Sequence, residues 1–210
     1  MSIACSASAT KGCWTGWKRS TGRRRLHTAD IEKLCQGRKV LDVGCGRAKF
    51  RGATGIDFAD AADADVRHDL NRFPYPLPDA AFDVVLMRNV IEHLQNVVAL
   101  MEEVHRVGRD GADVIVTTPH FSSVYSYQDP THIRHLAYDS LEYFTEGTRH
   151  SNFYSAKRFV MVGRGLDFGR SFPFSQIARG LFALSPHKYE KHFCFVFPAN
   201  SLWFHLKVKK

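Results

Sequence analysis

The 210-residue sequence has no uninterrupted apolar run approaching the roughly 18 residues needed to cross a bilayer. Charged side chains break its longest periodic stretches every few positions, so a membrane-spanning helix is not expected. Cysteine is sparse and irregular. Cys5, Cys13, Cys35, Cys45 and Cys194 make an odd number without a single C-x-x-C pair. That pattern points away from a disulfide framework or a zinc knuckle, and a reducing cytoplasm is the expected compartment. A nucleotide-binding P-loop, with its Gly-Lys-Ser/Thr ending, is missing as well. The first 29 residues contain no acid and also lack the 7–15-residue apolar core of a secretory signal, so export is not expected.

What is present begins with that acid-free segment. The net charge of +8 suggests a nucleic-acid-binding protein, but six of the 29 Lys and Arg residues lie in it (Lys11, Lys18, Arg19, Arg23, Arg24, Arg25). The remainder carries 23 basic against 21 acidic residues and is close to neutral. Residues 1–27 are therefore expected to be a flexible basic tail ahead of a single domain at 28–210. Such a tail could draw in nucleic acid or an anionic membrane surface, and its Arg- and Ser-rich, acid-poor composition also resembles an organelle transit peptide.

Hydrophobic residues make up 44% of the chain, enough for a packed core. Thr28–Cys35 reads as a short helix with Thr28 as its N-cap. Five strands are expected at Lys39–Val43, Ala53–Asp57, Ala64–Arg67, Phe82–Met87 and Ala112–Thr118. The fourth is nearly all apolar, as a strand buried on both faces should be. Between the fourth and fifth, Val97, Leu100, Met101, Val104 and Val107 recur at helical spacing, and Gly108 and Gly111 stop the helix. Strands alternating with crossovers argue for a mostly parallel α/β sheet. Residues 119–156 are dense in His, Tyr, Phe, Asp and Ser, with a capped helix expected near Asp139. Two β-rich runs follow, at Lys157–Val162 and Lys191–Lys209, with a Pro- and Ser-rich connector between them. Phe193, Phe195 and Phe197 alternate as one buried strand face would; a base-stacking platform is the rival reading.

The informative segment is Val40-Leu-Asp-Val-Gly-Cys-Gly46, a buried strand running into Gly-x-Gly. Glycines at the carboxyl edge of a sheet let a ligand approach the main chain with no Cβ in the way. Asp57 ends the next strand, placed to accept hydrogen bonds from ribose hydroxyls. A dinucleotide fingerprint would carry a third glycine where Lys49 stands. The pattern thus suits a ligand with a ribose but no pyrophosphate better than it suits the cofactor of an NAD-type oxidoreductase.

These residues resemble motif I of the class I S-adenosylmethionine-dependent methyltransferases, and Gly55-Ile-Asp57 resembles that family's acidic loop. Asp69-Leu70 resembles the segment that covers the adenine. Phe82-Asp-Val-Val-Leu-Met-Arg-Asn-Val-Ile-Glu-His-Leu94 resembles motif IV and the loop after it, with the spacing of the type-11 group. The resemblance implies a Rossmann-like, seven-stranded, mostly parallel sheet with an antiparallel last strand and helices on both faces. It implies S-adenosylmethionine as cofactor. Asp42, Gly44, Cys45 and Gly46 would hold its methionine end, Asp57 its ribose, and Phe58, Asp69 and Leu70 its adenine. Arg88 and Asn89 would close the site through their backbone. One departure stands out: Arg47–Gly52 leaves little room for the usual helix after motif I, so a short turn must replace it.

Methyl transfer to a hydroxyl or ammonium also needs a base. Four histidines are candidates: His93 after the fourth strand, His120 after the fifth, and His132 and His135 in Asp129-Pro-Thr-His-Ile-Arg-His. His132 and His135, with a nearby Asp and His120, have the spacing of a metal half-site, but no metal is expected here. Residues 119–156 are expected to line or lid the pocket of a small polar acceptor, by analogy a saccharide or a lipid-linked precursor. An RNA-modifying protein using the basic tail and a non-catalytic scaffold are the rival readings, and the chain is expected to be a monomer or a homodimer.

Overall fold

The computed structural model describes residues 28–60, 62–148 and 153–210. The basic tail expected at 1–27 lies outside them, as do residues 149–152 of the acceptor segment. Helix α1 (Thr28–Cys35) leads into strands β1 (Val40–Val43), β2 (Thr54–Asp57), β3 (Val66–Arg67) and β4 (Phe82–Arg88). A 3₁₀ turn at Ile91–His93 precedes α2 (Val97–Val107), which runs straight into β5 (Gly108–Pro119). After the short α3 (Tyr125–Gln128) come β6 (Arg158–Asp167), α4 (Phe174–Leu184), α5 (Pro186–His192) and β7 (Ser201–Lys209).

The seven strands form one sheet in the order β3-β2-β1-β4-β5-β7-β6. Pairings from β3 across to β5 are parallel, and β7 runs antiparallel to both of its neighbours. Chain order reverses between β1 and β4, the switch point where open α/β sheets bind ligands.

Alternation along the central strands divides the core in two. Leu41, Val43, Val85, Met87, Val114 and Val116 belong to a large cluster that also holds α2 and parts of α4 and α5. Val40, Val84, Leu86 and Ile115 belong to a smaller one with Ile31 and Cys35 of α1. A strand whose successive side chains enter opposite layers is mostly apolar, which is why Val84–Met87 of β4 reads as a continuous hydrophobic run, while Asp42 is the polar exception in β1. Leu100, Met101, Val104 and Val107 of α2 are fully buried, each contributing about 1.5–3 kcal/mol of apolar burial. The Asn96 side chain caps α2 by accepting from the Ala99 N–H at 3.0 Å.

The crossover from β1 to β2 is helix-free, as its length requires. Residues 44–53 form turns instead, closed by Ala48 N–H to Cys45 O at 3.3 Å and Ala53 N–H to Phe50 O at 3.0 Å.

Three expectations need correction. The β-rich run at Lys191–Lys209 is strand only from Ser201. Ser185 and Pro186 start α5, the Ser185 hydroxyl accepting from the Lys188 N–H, and Phe193 closes that helix. Phe193, Phe195 and Phe197 therefore do not share a strand face: Phe195 is 74% exposed, while Phe197 packs against the core. The helix expected at Asp139 is only a 3₁₀ turn at Glu142–Phe144, because the Asp139 carboxylate turns away to Arg164 at 2.8 Å. The Pro- and Ser-rich connector between β6 and β7 carries α4 and α5.

Candidate cofactor cradle and acceptor cleft

Gly44 and Gly46 have φ of +65° and +53°, the left-handed region that glycine enters without steric cost. They serve different purposes. A Cβ on Gly44 would lie 2.8 Å from Val90 Cβ and closer still to Val90 Cγ2, so this glycine lets the loop after β4 pack on the turn. A Cβ on Gly46 would meet nothing within 4 Å, so its backbone faces open space that a ligand can enter.

The two acids of the cradle are both buried. Asp57 holds the turn, its Oδ2 accepting from the Gly46 N–H at 2.9 Å and its Oδ1 from the Ala59 N–H at 3.0 Å. Each carboxylate oxygen has a second lone pair, so acceptance from a ribose hydroxyl remains available. Asp42 Oδ2 accepts from the Phe50 N–H at 2.7 Å and from the Arg88 guanidinium at 2.6 Å. Arg88 also donates to Ala48 O at 2.8 Å. Strand β4 thus clamps the abbreviated crossover through a side chain, a role the sequence did not reveal for Arg88. Asp42 Oδ1 is buried without a hydrogen-bond partner, which fits an ammonium donor at the turn.

Around the cradle, Phe58 is 65% exposed just beyond β2, a free aromatic face. Asp69 Oδ1 accepts from the Asn71 N–H at 3.0 Å, and buried Leu70 offers its carbonyl to the Tyr75 hydroxyl at 3.1 Å. Burial pushes the Cys45 thiol up to about 11, so it sits in the turn as a small neutral side chain.

A cleft of about 410 Å³ opens at the carboxyl ends of β4 and β5. It is lined by Asn89, Glu92, His93, Pro119, Tyr125, Asp129, His132, Asn200 and Ser201. Asn89 turns the chain at the end of β4 with φ of +53°, its N–H held by Thr117 O at 2.8 Å. Val90, the next residue, is buried and packs on Gly44 of the cradle.

The four histidines separate here. His93 and His132 meet in the cleft, ring centroids 4.6 Å apart. His120 is fully buried and outside the lining, with Nδ1 on Ser122 Oγ at 2.8 Å and Nε2 on Glu190 Oε1 at 2.9 Å. His135 is exposed, bonded to Ser126 Oγ at 2.8 Å and stacked on Tyr127. The metal-like grouping of His132 with His135 and His120 is therefore not assembled.

Glu92 is the residue that sequence reasoning passed over. It lies in the 3₁₀ turn at 1% exposure, and neither of its carboxylate oxygens accepts a hydrogen bond. Burial raises its proton affinity, while the nearby Thr118 hydroxyl and the His93 and His132 rings pull the other way. The available signal was an acid beside His93 at a strand's carboxyl end.

Comparison with known proteins agrees with this geometry. A family model described as "Methyltransferase domain" matches residues 20–168; the description names no subgroup. A probable S-adenosylmethionine-dependent methyltransferase of Mycolicibacterium smegmatis is 36% identical over 115 residues, 45% of this chain and 44% of that protein. A second of the same description, from Mycobacterium tuberculosis, is 30% identical over 159 residues, 58% of this chain and 57% of that one. The aligned region thus spans about half the length of these curated relatives. Among solved structures, a SAM-dependent methyltransferase from Archaeoglobus fulgidus superposes with a TM-score of 0.56 at 18% identity, covering 84% of this chain and 89% of that one. Sheet order, motif-bearing turn and matching family model lead to one conclusion: the chain belongs to the class I S-adenosylmethionine-dependent methyltransferases.

Proposed function

We propose that this chain methylates a hydroxyl or amine of a small polar acceptor seated in the cleft beside the Gly44–Gly46 turn. One observation supports this reading: the loop after β4 touches both places, Val90 packing on Gly44 of the cradle while the adjoining Asn89 lines the cleft. When bound, S-adenosylmethionine supplies an activated methyl group, so the protein's work is alignment and proton removal. Asp42 Oδ1 and the Gly44-Cys45-Gly46 backbone would hold its methionine end, Asp57 the ribose, and Phe58, Asp69 and Leu70 the adenine. Arg88 keeps the turn in place through Asp42 and Ala48, and Asn89 closes the cleft at the end of β4.

On the acceptor side, Glu92, His93 and His132 present a wall of hydrogen-bond acceptors. A hydroxyl or ammonium pointed at that wall would give up its proton there, and the lone pair so freed would be the nucleophile for the activated methyl group. Tyr125, Asn200 and Ser201, which line the rest of the cleft, would surround the remainder of the acceptor. Amide, hydroxyl and carboxylate groups set among the Tyr125 ring and Pro119 suit a saccharide-like or lipid-linked polar headgroup, which presents hydroxyls and apolar C–H faces together. Nucleic acid is the weaker reading, because six of the eight net positive charges lie in 1–27 and the remainder of the chain is close to neutral.

The test is transfer of isotopically labelled methyl from S-adenosylmethionine into a cell extract, followed by separation by size. Label in the dialysable or lipid-extractable fraction is expected. Label confined to RNA would overturn the acceptor class.

A further inference from the structure

We propose that Glu92, His93 and His132 form a binding site for a single divalent transition-series cation at the wall of the cleft. One ligand-type atom from each of the three lies within 4.8 Å of the other two. Ligands held 2.0–2.2 Å from an ion stand about 3–4 Å apart, so small side-chain rotations close the set.

The hydrogen bonding fixes what each group offers. Nδ1 of His132 faces the Ser126 carbonyl at 3.2 Å, an acceptor only, so this nitrogen carries the proton and Nε2 carries the lone pair. That Nε2 stands 4.0 Å from Glu92 Oε1 and 4.0 Å from Asp129 Oδ2, too far for a hydrogen bond to either. Thr131 Oγ1 donates to Asp129 Oδ1 at 2.7 Å and receives Nδ1 of His93 at 2.9 Å. The relay makes Nδ1 of His93 the donor and leaves its Nε2 bare. Glu92 adds a nearly fully buried carboxylate whose oxygens have no partner. The Thr118 hydroxyl is the side-chain donor near the Glu92 carboxylate, and the lone pairs of the two imidazoles face that carboxylate, an arrangement that a cation satisfies.

Two imidazoles and a carboxylate suit zinc, cobalt or nickel better than calcium or magnesium, which prefer all-oxygen sets. The Asp129–Thr131 relay and the Ser126 carbonyl play the supporting part that fixes the tautomer of ligating histidines. Three protein ligands leave coordination positions free, and they open on the cleft. On the reading of that cleft as the acceptor pocket, the ion takes up the lone pairs that would otherwise accept the acceptor's proton, and the site selects acceptors that bring an oxygen to the ion, hydroxyl-bearing compounds above all.

The full-length chain, stripped with a chelator, would be titrated with Zn²⁺ against a chromophoric competitor and with Co²⁺ by visible absorption. One ion per chain is expected, with affinity falling at least tenfold in Glu92→Gln and His93→Gln and the Co²⁺ band lost. Affinity in His187→Gln should be unchanged. S-adenosylhomocysteine would be added in parallel and its thermal shift recorded for every variant, which also certifies folding. If Glu92→Gln fails to fold, the half-buried His93→Gln decides. Absence of a bound ion, or binding unchanged by both substitutions, overturns the proposal. A ligand shift without ion binding would sink this site alone, whereas ion binding without any ligand shift would sink the methyltransferase reading of the cradle and leave the site standing.

Discussion

Replacing each of the two turn glycines by alanine should damage the protein in two separable ways. Both substitutions place an L-residue in the left-handed region, at roughly 1–2 kcal/mol. At Gly46 nothing further opposes the new methyl group, so the fold should lose only that amount, about 2–8 °C in melting temperature for a domain of this size. The methyl would instead occupy space the cofactor needs, and affinity for S-adenosylhomocysteine should fall at least tenfold. At Gly44 the methyl would overlap the Val90 side chain, adding about 1–3 kcal/mol of overpacking. Gly44→Ala should therefore be destabilised by about 2–5 kcal/mol. Truncating Val90 in that background should restore part of the loss, although Val90→Ala alone destabilises. A coupling of about 1–2 kcal/mol is expected from two side chains competing for one space. Urea unfolding of the four variants, with calorimetric titration of the folded ones, reads all of this. Equal stability of Gly44→Ala and Gly46→Ala, with no coupling to Val90, would refute the packing argument.

Further outcomes follow from the same contacts. Burial alone would raise the Asp113 carboxyl, but His205, Lys207 and Arg38 at 2.7–2.9 Å hold it well below the usual carboxylate range. Its contribution is fully present above the unfolded value near 3.9 and is lost as pH falls toward the folded one; stability should drop below about pH 4, and Asp113→Asn should flatten that limb of the curve. Arg88→Met strands the Asp42 carboxylate, which has 1% side-chain exposure. Because Arg88 is itself a third exposed, a loss of about 2–4 kcal/mol is expected in denaturant unfolding, together with weaker cofactor binding. Burial pushes the thiols of Cys35 and Cys45 up to about 11, so native protein at pH 8 should resist iodoacetamide at both positions by mass spectrometry. Rapid labelling of either would contradict the buried turn.

In the parallel half, β4 was legible because it is nearly all apolar, and β1 and β2 because each is short and bounded by turn residues. Their ends were less so. Gly108-Arg-Asp-Gly111 reads locally as a helix stop, yet β5 already begins at Gly108, in register with Phe82 of β4. That pairing is a property of the neighbouring strand rather than of the segment itself. The same applies to Phe193, Phe195 and Phe197, whose alternation mimics a strand until the Ser185-Pro186 helix start carries the chain through Phe193. In the site, the glycines and acids of the cradle were readable from motif and spacing. The fate of the histidines was not. His120 looked open to the cleft at the end of β5, but Glu190, distant in sequence, takes its Nε2. Glu92 passed unnoticed because a carboxylate in a sequence is ordinarily solvated; only the packed structure reveals one buried without a partner.

The most direct test of the central claim is calorimetric titration of the chain with S-adenosylhomocysteine, for the wild type and for Asp57→Ala, both shown to be folded. The account predicts one site per chain in the wild type and affinity at least tenfold weaker in the variant, as expected if the cofactor lies over Gly44–Gly46 with its ribose on Asp57. No binding to the folded wild type at millimolar ligand, or binding untouched by Asp57→Ala, would contradict it.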